Sequence, residues 1–251
     1  MEVRPSERPF IRRIEDYITR VNVRGQWQLT DFLSPREQRL ATSRARAAGM
    51  VVQGYGGYQE AERQRLLLMP GEWYPEAADF QITTLSIDAV QPLTHGALLG
   101  ALLGTGVERR KVGDLAVDGE RALCAVDPTI AGHVCRELHQ AGRVSVHVEI
   151  VDQEVVWPKV VYTTATLSVA SMRLDAVVAA ACHWSRGTAQ EAIQAGRVSV
   201  DHVATERADE PVEVGDVLSV RGFGRVRVFE SVGLSKKGRI RLVVGILPSR
   251  R

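Results

Sequence analysis

Arg173-Leu-Asp175 and, ten residues on, Ser185-Arg186 combine the residue types best suited to holding an anion. A guanidinium is a planar fork of N–H donors that matches phosphate oxygens two at a time. The pattern around each Arg reads as the start of a short helix, where free backbone N–H groups and the helix dipole already favour phosphate. Ser185 is placed to cap the second helix, leaving Arg186 to reach outward. Asp175 reads as a partner that orients a neighbouring Arg, not as a proton donor. Arg197 follows the second helix. Arg225, Arg227, Lys236, Lys237, Arg239 and Arg241 then form a basic ribbon beyond Gly222-Phe-Gly. Each cation alone reads as a solvated surface charge; as a set they read as phosphate contacts.

Other constellations carry less. An Arg-Leu-Asp triplet also holds the catalytic Asp of pseudouridine synthases, but here Ala176-Val-Val-Ala-Ala follows and no synthase-sized domain surrounds it. No nucleotide-binding signature marks a tRNA-synthetase fragment. Cys135 and His139 share a helix face at i,i+4 spacing, but His133 points elsewhere and no fourth ligand is evident, so the expectation is a half-buried thiol with surface histidines. Cys182 beside His183 reads the same way. Gly100 to Gly106 lacks the Lys-Ser/Thr of a phosphate loop. The expectation is no catalytic residue, no metal and no cofactor.

Composition sets the bounds. The 251 residues are 45% hydrophobic and 25% charged, which excludes wholesale disorder and fits two or three small domains. The longest strictly apolar run, Ala176 to Cys182, is far too short to span a bilayer. The first thirty residues are Arg-rich without an apolar core, so no secretory signal is expected. Three scattered cysteines make no disulfide framework, and a cytoplasmic monomer is the default. The net charge of +2 conceals a division: residues 1–49 hold ten basic and six acidic side chains, 50–171 nine and fifteen, and 172–251 thirteen and nine. A polyanion would be met at the ends, above all at 221–251, where nine basic residues face the single acid Glu230.

The elements that must position these residues are legible in outline. Ile11, Ile14, Tyr17, Ile18 and Val21 form a helical stripe, and Ser34-Pro35-Arg36-Glu37 is a capping box opening a helix that Gly49 stops. Residues 51–69 read as strand, glycine turn, short helical turn and strand. From Phe80 the order is βαββαβ, with helices at 95–103 and 128–141 and a final strand at 143–150, as in RNA-recognition-motif domains. Those domains stack bases on aromatic residues of their central strands, yet Arg121–Val126 has no aromatic, so a structural role is expected for this sheet. Gln140-Ala-Gly-Arg-Val-Ser-Val146 recurs as 194–200 and reads as the same helix-stop-strand junction twice. The fold class is α+β: an N-terminal α/β region (1–76), an RRM-like split-βαβ domain (77–155), a linker (156–171) and a C-terminal domain (172–251).

The last segment resembles the S4 (αL-type) RNA-binding domain: Arg173-Leu-Asp, Ser185-Arg, Ile193-x-x-Gly196-x-Val-x-Val200 and Gly215-Asp-x-x-x-Val220 occur in order over some sixty residues. One departure is Asp201-His202, where Asn-Gly is usual. Phe32-Leu-Ser-Pro-Arg-Glu37, Gly56-Gly-Tyr-x-x-Ala-Glu-Arg63, His95-Gly-Ala-Leu-Leu-Gly100 and Gly113-Asp-Leu115 extend the resemblance to bacterial YlmH-type S4-domain proteins, over nearly the whole chain. Gly96-Ala97 departs from the basic residue and Asp often found after that His. The resemblance implies binding to rRNA of the large ribosomal subunit at a surface shared with tRNA, in rescue of stalled ribosomes by ribosome-associated quality control. Two other classes compete: an RNA-modifying enzyme of pseudouridine-synthase type, and a protein scaffold using the acidic middle.

Overall fold

The apolar stripe at residues 11–21 folds as helix α1 (Arg8–Arg24), which buries Phe10, Ile11, Ile14 and Val21. The computed structural model describes residues 3–4, 7–151, 155–158, 162–201, 203–235 and 238–249. These fall into two compact units, 1–158 and 159–251.

In the first unit, β1 (Gln28–Leu29) precedes α2 (Pro35–Ala47), whose capping box forms as the sequence predicts. The Glu37 N–H donates to Ser34 Oγ, and the Ser34 N–H donates to the Glu37 carboxylate at 2.8 Å. Both helices pack on an antiparallel sheet ordered β1-β3-β2, with β2 at Val51–Tyr55 and β3 at Arg65–Met69. Strand β3 is buried on both faces: Leu66 and Leu68 toward the helices, Leu67 and Met69 toward Phe80. Between β2 and β3 the chain makes turns and bends instead of the expected helical turn. A Cβ at Gly56 would sit 2.4 Å from Ala61 Cβ and from the Arg63 carbonyl, so the loop closes on itself too tightly for a helix.

The βαββαβ order is present: β4 (Thr83–Ala89), α3 (His95–Gly104), β5 (Val112–Asp118), β6 (Arg121–Val126), α4 (Pro128–Glu137) and β8 (Val144–Val151). Their antiparallel order β5-β6-β4-β8 puts the first and third strands of the motif at the centre, with a short strand β7 (Gln140–Ala141) added beside β8. Helices α3 and α4 cover one face over Leu85, Ile87, Cys124 and Val126. Strand β4 starts three residues later than Phe80, because Ala77–Phe80 forms a 3-10 turn and Gln81 takes φ 49°.

Helix α4 ends at Glu137, four residues short of expectation. The cause is the repeated heptapeptide. Its first copy is a hairpin, Ala141 pairing with Val144 around Gly142 at φ 65°. Its second copy is the expected helix stop, with Gly196 at φ 63°. The two copies share the left-handed glycine, not the helix before it.

The second unit contains β9 (Thr163–Val169), α5 (Leu174–Cys182), α6 (Arg186–Gln194), β10 (Val198–Val200), β11 (Val203–Ala204), β12 (Val217–Val220), β13 (Gly224–Leu234) and β14 (Ile240–Pro248). The segment read as linker, 156–171, therefore includes a strand: β9 pairs with β14 from Val169↔Ile240 to Thr163↔Ile246 and edges a sheet ordered β11-β10-β12-β13-β14-β9. Helices α5 and α6 bury Leu174, Val178, Ala189 and Ile193 against Val200, Leu218, Val226, Val228, Leu242 and Val244 of that sheet. Asp201 turns the chain after β10: it adopts φ 48°, and its carboxylate accepts the Val217 N–H at 2.9 Å. His202 lies outside the described residues.

Candidate nucleic-acid interface

The sequence expectation for Asp175 holds in stronger form than a single pairing. This carboxylate has 0% exposure and accepts from Arg173 Nε and Nη2, both at 3.2 Å. It also accepts from Arg186 Nε at 3.0 Å, Arg186 Nη2 at 3.2 Å and Gln190 Nε2 at 2.8 Å. Burial alone would push its pKa up; the hydrogen bonds from Arg173, Arg186 and Gln190 outweigh that and hold it well below the usual carboxylate range. The two guanidiniums keep 41% and 52% of their side-chain surface exposed. Each grips the buried anion by its Nε and Nη2 edge. Gln190 was not singled out from sequence, although its place four residues after Arg186 on one helix face is the signal that would have found it.

The helix termini contribute differently from expectation. Ser185 caps α6 by accepting the Thr188 N–H at 3.1 Å. The first N–H groups of α5 are already taken, because Leu174 donates to Glu210 O at 2.9 Å and Asp175 to Ala208 O at 3.0 Å. The acidic stretch 208–212 runs antiparallel to 172–174, with Arg173 bridging to Pro211. The N–H groups at the start of α5 are therefore not open, and the donors presented there are guanidinium side chains, not the helix end expected from sequence.

The remaining predicted residues do not join this cluster. Val226 and Val228 point into the core beneath α5 and α6, so Arg225 and Arg227, alternating with them, lie on the opposite face of the sheet. Arg197 precedes Val198 at one end of that face, its carbonyl accepting the Arg221 N–H at 2.9 Å. Arg239 donates to the Ser168 carbonyl on β9 at 2.6 Å. Lys236 and Lys237 lie outside the described residues. The single basic surface implied by the sequence is two surfaces among the described residues, one on each side of this sheet.

In the first unit the sheet face that RNA-recognition motifs leave open is covered. Phe32, Tyr58 and Trp157 pack on Ala116, Leu123 and Ala125, on the side away from α3 and α4. Tyr58 stacks on Trp157 at 4.5 Å between centroids. Asp114 ties this cover down, accepting from Tyr58 Oη at 2.8 Å, the Glu62 N–H at 2.7 Å and the Arg63 N–H at 3.0 Å. Burial raises the Asp114 pKa, and burial together with the Asp114 charge raises that of Tyr58. The buried Arg63 guanidinium donates to Val112 O and Phe32 O. Gly113 admits the Phe32 ring, since a Cβ there would sit 2.6 Å from a ring carbon. Sheet, cover and clamp fill the place where bases would stack.

Among the described residues no three His, Cys, Asp or Glu side chains converge as a metal site requires, and no helix is long and apolar enough to cross a membrane. Burial pushes the Cys124 and Cys182 thiols up to about 12.

Three family profiles match in succession: "YlmH, N-terminal" over residues 6–73, "Putative RNA-binding domain in YlmH" over 75–154 and "S4 domain" over 172–218. The last contains Arg173, Asp175, Ser185, Arg186 and Arg197, while Arg225 to Arg241 lie beyond it. A Bacillus subtilis (strain 168) protein named "Ribosome-associated protein quality control protein P2" is 34% identical over 243 residues, covering 95% of both chains. A solved structure described as "Cell division protein ylmH from Streptococcus pneumoniae" is 27% identical with TM-score 0.55, covering 60% of this chain and 94% of that one. With the motifs of both units packed as described and a relative matched along almost its full length, the chain belongs to the YlmH family and ends in an S4 RNA-binding domain.

Proposed function

We propose that this protein is a non-enzymatic factor that docks on structured rRNA of the large ribosomal subunit, with tRNA contact, in rescue of stalled ribosomes in the cytoplasm. It acts as a monomer and needs no cofactor. The observation that carries this reading is the pair of half-exposed guanidiniums, Arg173 and Arg186, fixed by one buried carboxylate. A rigid double fork recognises the position of phosphates, which is how folded RNA is read when base edges are inaccessible. The name of the Bacillus subtilis relative, matched at 34% identity, supports the ribosomal setting.

The test is co-sedimentation with large ribosomal subunits of the full chain carrying Arg173→Gln or Arg186→Gln. Single replacements are chosen because removing both arginines leaves Asp175 buried and unanswered. Each variant is expected to keep the wild-type circular dichroism spectrum and to lose about tenfold in association, the worth of one strong charge-assisted contact. Undiminished association of either folded variant would overturn the assignment of this site.

A further inference from the structure

The second face of the S4 sheet carries more than arginine. Strand alternation sends Leu242 and Val244 into the core, so Arg241, Val243 and Gly245 face the other way, beside Arg225 and Arg227. A bulge between Val228 and Glu230 brings Phe229 to the same side, where Glu230 also lies, paired with Val243. Its ring packs against Gly245: a Cβ there would sit 2.5 Å from ring atom Cζ and 2.8 Å from Tyr162 Cβ. Tyr162 braces the ring edge-on, with centroids 6.0 Å apart and planes at 82°. Phe229 nonetheless remains 39% exposed. Arg227 is the direct cross-strand partner of Gly245, which sets its stem beside the ring. On the neighbouring strand Thr164, Thr166 and Ser168 are exposed.

We propose that this face is a second RNA site, in which an unpaired nucleotide stacks its base on Phe229 while Arg225 and Arg227 meet the flanking phosphates. The inference rests on the RNA-binding reading above and adds a ligand class to it: single-stranded RNA, on the side of the sheet opposite the Asp175 fork. An aromatic ring seated on a glycine of an open sheet and flanked by cations is the combination that holds unpaired bases, because every base offers a π-face. A hydrophobic protein contact would not need the flanking arginines. An acidic partner is disfavoured by the flat ring at the centre, which offers a carboxylate nothing. On this face Arg225, Arg227 and Arg241 outnumber Glu230, a balance that favours an RNA strand.

The experiment uses the full chain with two probes: an octauridylate carrying one 2-aminopurine, whose fluorescence is quenched on stacking, and a structured rRNA hairpin. Wild type and Phe229→Tyr are expected to quench the oligonucleotide. Phe229→Leu keeps an apolar side chain at the bulge but is expected to abolish quenching and weaken oligonucleotide binding about tenfold, with hairpin binding unchanged. Arg227→Gln leaves the ring in place and is expected to weaken binding while preserving quenching in the bound state. Equal quenching by wild type and Phe229→Leu, or binding without quenching, overturns the platform and leaves the ribosomal reading standing. Phe229-dependent binding of an oligoglutamate peptide in place of the oligonucleotide assigns the face to a protein and overturns it too. If neither RNA probe binds wild type, the RNA-binding reading falls and the platform with it.

Discussion

A carboxylate without solvent is stable only when its charge is answered, and two of the buried aspartates, Asp175 and Asp127, show two ways of doing so. Asp175 spends its oxygens on side chains that themselves reach solvent, so its burial serves the arginines. Asp127 serves the fold: it caps α4 through the Thr129 N–H at 3.0 Å, holds Lys111 Nζ at 2.9 Å and lies 3.4 Å from Arg65 Nη2. Burial opposes its ionisation, but the bonds from Lys111 and Thr129 prevail and lower its pKa from 3.8 to about 2. Because the folded carboxyl titrates below the unfolded one, its ionised form stabilises the protein fully above the unfolded value. That contribution drains as the pH falls through the interval toward the folded value. Asp127→Asn keeps a capping side chain, so it is expected to cost about 2 kcal/mol near neutral pH in urea unfolding. The gap to wild type should narrow as the pH is lowered from about 5 to about 3. A gap that does not change over that range would mean the charge of Asp127 contributes nothing.

At the scale of elements, the repeated heptapeptide shows what a short segment can and cannot dictate. Both copies place glycine at positive φ, yet one follows a strand and the other a helix, so the flanking residues choose the element and glycine only turns the chain. Gly142→Ala and Gly196→Ala are therefore expected to destabilise their units alike, by roughly 1 kcal/mol of left-handed strain. Neither site crowds an added Cβ, with nothing nearer than 3.8 Å. Unequal losses on denaturation would point to packing in place of backbone strain. The elements legible in sequence are those with local signals: the Ser34 capping box, the Ser185 cap and the stripe of α1. Strand β9 was missed because its partner lies some seventy residues away and its Thr-rich alternation, without a turn signal, resembles a connection. The early end of α4 was missed because a two-residue hairpin and a helix stop use the same glycine.

For the whole molecule, residues 1–158 carry 18 basic and 21 acidic side chains, while 159–251 carry 14 and nine, so the small net charge averages unlike parts. The candidate site was legible as far as residue types: Arg173, Ser185, Arg186 and the pairing of Asp175 with a neighbouring Arg are in the motif itself. Its division over two faces of a sheet was not, since that depends on which neighbours of Arg225 and Arg227 the helices cover. The cover over the central sheet was equally hidden, because Tyr58 and Asp114 meet across 56 residues of chain. The Asp175 fork has a consequence in counterion stoichiometry. Two guanidiniums sharing one carboxylate carry a net single positive charge, the complement of one phosphodiester, so on the proposed reading they would displace about one bound cation from RNA, not two. Either Arg→Gln change makes the cluster neutral. Each is therefore expected to lower the slope of log affinity against log KCl by about one, the full electrostatic share of the motif. A fork that looks like two ionic contacts should titrate against salt as one.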